Sequence, residues 1–78
     1  MEETIQFIYQ EIRNYNINAN ESIDFMFMPA KIARIPINIQ NHLDEAILEL
    51  LNRHILELRE VDGKQEPFLT ELGFRKIY

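Results

Sequence analysis

His42 and His54, with Asp44 between them, are the side chains that could ligate a metal, and Glu45 and Glu49 are the carboxylates whose spacing could support acid–base work. The histidines stand twelve positions apart with no carboxylate–histidine pair at ligand spacing, so the three groups are not expected to converge on an ion. Glu45 and Glu49 share a helix face, but an acid–base pair needs dissimilar surroundings, and none is visible around them. There is no nucleophile–base pair and no glycine-rich phosphate loop, and the absence of cysteine removes thiol catalysis and thiolate zinc sites. The expectation is a protein without enzymatic activity, metal or cofactor. His54 continues an apolar stripe at a helix end and reads as a buried structural histidine, while His42 reads as exposed.

These residues sit on one small domain spanning residues 1–78, mainly α with a small β-hairpin. With 78 residues and 46% of them apolar, most large side chains are needed for the core. Ile5, Ile8, Tyr9, Ile12 and Tyr15 predict a helix over 2–15, and the four asparagines between Asn14 and Asn20 predict a connection. The run Ile23 to Met28 is expected to be extended over 22–28 and to belong to the core. Pro29 opens a short helix over 29–35 that stops before Pro36, and residues 36–39 form a tight link. Leu43, Ala46, Ile47, Leu50 and Leu51 predict a helix over 40–53, capped by Asn38 or Asn41.

Beyond it the period becomes alternating. Asp62-Gly63 predicts a type I′ hairpin turn, which fixes a hairpin over 55–69 with Leu56 opposite Leu69, Leu58 opposite Pro67 and Arg59 opposite Glu66. That register puts the leucines on the covered face, an Arg59–Glu66 pair on the exposed face, and Pro67 on an edge. Thr70 is placed to cap a last helix over 71–78.

The order helix, short strand, helix, helix, strand, strand, helix resembles the winged helix-turn-helix family of small transcriptional regulators. Ile32 to Leu43 is similar to its helix-turn-helix, with an isoleucine–alanine pair in the second helix and a polar opening to the third; Leu50 to Arg59 is similar to the end of the third helix and the first wing strand, and Phe68 to Gly73 to the close of the wing. His54 takes the place of the glycine that ends the family's third helix in a left-handed conformation, which predicts a differently shaped end.

The resemblance implies sequence-specific binding of double-stranded DNA. Asn38, Gln40, Asn41, His42 and Glu45 would lie near the start of the recognition helix, Arg59, Lys64 and Gln65 on the wing, and Lys31 and Arg34 against phosphates. The competing account of the same residues is a capping asparagine and a solvated polar face. A net charge of −5 excludes a surface that is wholly a polyanion platform, and the third helix carries Asp44, Glu45 and Glu49 against Arg53 alone. The alternative is therefore a winged-helix protein-interaction module whose acidic third helix meets a basic protein surface; a blocker or mimic of DNA is a third possibility. Aromatic residues on the first and last helices suggest a homodimer through them. No apolar run reaches about 20 residues and the start is acidic, so the expected setting is cytoplasmic, with no membrane partner.

Overall fold

Isoleucines at positions 5, 8 and 12 give α1 (Glu2–Asn14) one fully buried face, closed at its first turn by Thr4. In the computed structural model, which describes all 78 residues, α1 packs against α4 (Leu43–Asn52), whose buried face is Leu43, Ala46 and Leu50. Between them lie a 3-10 turn (Asp24–Phe27), α2 (Pro29–Ile32) and α3 (Ile37–Gln40); after them come β1 (Leu56–Val61), β2 (Lys64–Leu69) and α5 (Glu71–Ile77). The result is an α+β fold of five α-helices and a two-stranded antiparallel hairpin. Ile17, Ile23, Met26, Ile55, Leu56, Leu69 and Ile77 complete the core. No helix is long and apolar enough to cross a membrane.

The hairpin has the expected register, Leu56↔Leu69 through Val61↔Lys64, around Asp62 and Gly63 at φ 51° and 80°. Its surroundings differ in three respects. Leu58 is 48% exposed, although its cross-strand partner Pro67 is buried. Arg59 and Glu66 do not pair: Arg59 bonds Glu57 on its own strand, and Glu66 accepts from Ser22 Oγ at 2.8 Å. Pro67 is buried rather than on a free edge, since residues 20–23 line the far side of β2. Asn20 donates to Leu69 O, Leu69 to Glu21 O and Ile23 to Pro67 O.

The segment 22–28 is not extended. Ser22 makes a single bridge to Phe68, and the chain then tightens into the 3-10 turn. A strand would send Ile23 and Met26 to opposite faces; three-residue periodicity buries both on the same side. The helix expected over 29–35 ends at Ile32 and continues as turns, with Arg34 donating to Lys31 O and Ile35 to Ile32 O. The link after Pro36 is itself helical, as α3, and it buries Ile39.

This extra turn moves the start of the long helix from residue 40 to Leu43 and removes the expected asparagine cap. Asn41 sits at φ −63°, ψ −18°, inside the helical region, whereas a capping side chain needs the extended region; no side chain caps α4. Thr70 does cap α5, accepting from Gly73 N–H at 2.9 Å.

His54 corrects two expectations. It is exposed rather than buried, and at φ 60° it takes the left-handed conformation that a glycine would. Ile55 N–H reaches Leu50 O at 3.0 Å and His54 N–H reaches Leu51 O at 3.1 Å, the paired bonds of a Schellman end. Asn16, at φ 55°, ends α1 in the same way, with Ile17 N–H bonded to Ile12 O. Histidine pays a steric cost in this region that glycine does not. His54→Gly is therefore expected to raise stability by a few tenths to about 1 kcal/mol in denaturant unfolding; a loss of stability would show that the imidazole makes an interaction worth more than the strain.

Candidate interaction surface

The side chains proposed to read DNA are largely occupied within the chain. Gln40 is half-buried, and its amide donates to the carbonyls of Ile32 and Ile35 at 2.9 and 2.7 Å, closing the end of α2 onto α3. Asn38 donates to Glu3 at 3.3 Å, tying α3 to the first turn of α1. His42 and Glu45 face each other at 3.9 Å at the start of α4. Asn41 and Gln65 are exposed. His42 and His54 flank opposite ends of α4, so the two imidazoles are not brought together.

Three of the eight cations are paired with carboxylates. Lys64 Nζ lies 2.9 Å from Asp24, which fastens the hairpin to the 3-10 turn; this hydrogen bond, more than the accompanying charge attraction, holds the Lys64 ammonium above its ordinary pKa. Arg59 bonds Glu57 through Nε and Nη2 and Asn20 through Nη2, and its guanidinium lies over the Phe68 ring at 5.0 Å. Arg53 is tied to Glu49 at 2.7 Å, and that bond is the main cause of its raised pKa. Lys31 donates to Tyr15 Oη at 3.1 Å and stands over the same ring. Lys31 and Arg34 border a cavity of about 200 Å³ between α1 and the 3-10 turn, with Glu11 also at its wall. Arg53, Arg59 and Lys64 are thus each held by an acid, which weakens them as parts of a phosphate-tracking face.

Two further features are exposed, in addition to Met28 and Ile37. The first is on α4, where Asp44, Glu45 and Leu48 are exposed and Leu48 retains 62% of its surface. Leu48 escaped the sequence-based site, although its signal was present: it follows Ile47 and so falls outside the stripe that runs through Leu43, Ala46 and Leu50. The second is a shallow groove of about 610 Å³ beside β1, bordered by Leu51, Leu58 and Leu72 with Glu57 and Glu71.

The aromatic residues of the first and last helices are only partly engaged internally, since Tyr15 and Tyr78 keep 42% and 52% of their surface exposed. Tyr9 and Phe74 pack on the core, Tyr78 Oη donates to Ile12 O at 2.9 Å, and the Phe74 and Tyr78 rings lie 4.7 Å apart.

The fold therefore defines a small α+β domain whose exposed features include an acidic helix and a leucine-lined strand edge. Comparisons with protein-family models, with characterised proteins and with solved structures find no match to this chain.

Proposed function

We propose that the chain is a winged-helix module that recognises a protein partner through α4 and has a binding rather than a catalytic role. The winged-helix reading is supported by the succession of α4, hairpin and α5, by the hairpin register and by the left-handed residue that ends α4 where the family has its glycine. One observation carries the choice of protein over DNA. The helix that would enter a groove exposes Asp44, Glu45 and Leu48 and carries no cation of its own, and Arg53, which follows it, is committed to Glu49. Such a face repels phosphates but matches a basic amphipathic surface, with the leucine supplying an anchor and the carboxylates setting orientation and encounter rate. A cytoplasmic setting suits a chain without cysteine.

The test compares two titrations at low ionic strength, followed by amide chemical shifts. Random-sequence duplex DNA is expected to leave the spectrum unchanged. A helical peptide with lysines on one face and leucines on the other is expected to shift Asp44, Glu45, Leu48 and Glu49, and Leu48→Ala to weaken that binding. Salt-sensitive DNA binding that is lost in Arg59→Glu with Lys64→Glu would overturn the proposal in favour of a DNA-binding regulator.

A further inference from the structure

β1 has one partner, β2, and its other edge is open. Leu58 pairs with Pro67, which has no N–H, so this pair is of the non-hydrogen-bonded kind. The N–H and C=O of Leu58 therefore point away from β2, and those of Glu60, two residues on, do the same. Neither residue bonds any other element. An edge of this kind is a template for another strand unless something blunts it. β1 has no proline, bulge or lysine; its charges are Glu57, Arg59 and Glu60, of both signs, and it carries Leu58 half-exposed at its middle.

We propose that β1 pairs antiparallel with β1 of a second copy of this chain, about a twofold axis through Leu58. The occupant is specified by the strand's own charges. With Leu58 opposite Leu58 of the second copy, Glu57 faces the second copy's Arg59, and Arg59 faces its Glu57. Two opposite-charge pairs thus form on one face while the leucines meet on the other, against the groove bordered by Leu51 and Leu72. The hydrogen-bonding pattern allows only registers that differ by two residues per step. Moving one step either way places Glu57 against Glu57 or Arg59 against Arg59, so the charges select a single register.

Arg59 is equipped for the exchange. Its Nε and Nη2 are used within the chain, but Nη1 makes no hydrogen bond, and its exposed contact with Glu57 is weak enough to be shared. The pairing would join the two hairpins into one sheet of four strands and leave Asp44, Glu45 and Leu48 outside the strand contact. It is independent of what α4 binds.

Sedimentation over a concentration series should give a mass that rises from one chain towards two, with slow amide exchange at Leu58 and Glu60 in the associated form. Glu57→Arg and Arg59→Glu each place like charges at both positions and are expected to weaken association on the order of tenfold or more. Mixing the two variants tests the register directly. The strand with two arginines complements the strand with two glutamates, so an equimolar mixture should associate at concentrations where each alone is a monomer. Loss of the Glu57–Arg59 contact within the chain is common to both variants, so it cannot produce that rescue. A single-chain mass at every concentration, or association of the same strength in the wild type, both variants and their mixture, would overturn the proposal.

Discussion

Gly73→Ala is expected to destabilise the protein by about 3 kcal/mol, a large share of the 4–12 kcal/mol or so that holds a chain of this length folded. Gly73 is buried in the first turn of α5. A Cβ there would press on the carbonyl oxygen of Ile55 and lie 2.8 Å from Leu69 Cδ1 and 3.0 Å from Ile55 Cγ2. The obstruction cannot easily give way, because Ile55 O already accepts from Thr70 N–H at 3.1 Å and Thr70 Oγ1 at 3.0 Å, and Leu69 is fully buried. The sign of the effect is diagnostic. Within a helix alanine is favoured over glycine by about 1 kcal/mol, so propensity alone would stabilise the variant. A lower denaturation midpoint with an unchanged slope is the expected result; a midpoint equal to or above that of the wild type would mean that α5 does not approach the start of β1 this closely.

The same junction shows what a sequence can and cannot disclose. Thr70 as a cap and Asp62-Gly63 as a turn were legible because each acts on backbone groups within three residues, and the register of the whole hairpin followed from the turn. The buried faces of α1 and α4 were legible because ten or more residues repeat one period. The 3-10 turn and α3 were not. Four residues carry too little period to announce a helix, and both are imposed from outside, by the need to bury Met26 and Ile39. Much the same divides the candidate site. That Lys64, Arg59 and Gln40 are polar and exposed-looking was visible, but their partners are fixed by folding: Asp24 stands forty positions from Lys64, and Gln40 turns back to the carbonyls of Ile32 and Ile35. His54 was legible as a departure from glycine, yet the left-handed geometry won, because Ile55 and Leu50 on either side of it are both held in the core.

Leu50→Ala is expected to cost about 3–4 kcal/mol, near the middle of the range for a leucine removed from a rigid core. Leu50 is fully buried where α4 packs on α1, and its carbonyl accepts Ile55 N–H in the bond that turns the chain into β1. The cavity would open within the buried cluster to which Leu50 and the α1 isoleucines belong, where close packing limits collapse. Leu50→Met, which keeps the volume, should cost less than about 1.5 kcal/mol. The informative control is Leu48→Ala, two residues away on the same helix. Leu48 is 62% exposed, so its loss should change stability by no more than about 0.5 kcal/mol while weakening binding of a basic amphipathic peptide. The two leucines thus separate the side of α4 that holds the fold from the side proposed to meet a partner. Equal destabilisation by both substitutions would place Leu48 in the core and remove the apolar anchor from the proposed interface. A stability gap of about 3 kcal/mol, with binding lost only in Leu48→Ala among variants that remain folded, is the outcome that the orientation of this helix requires.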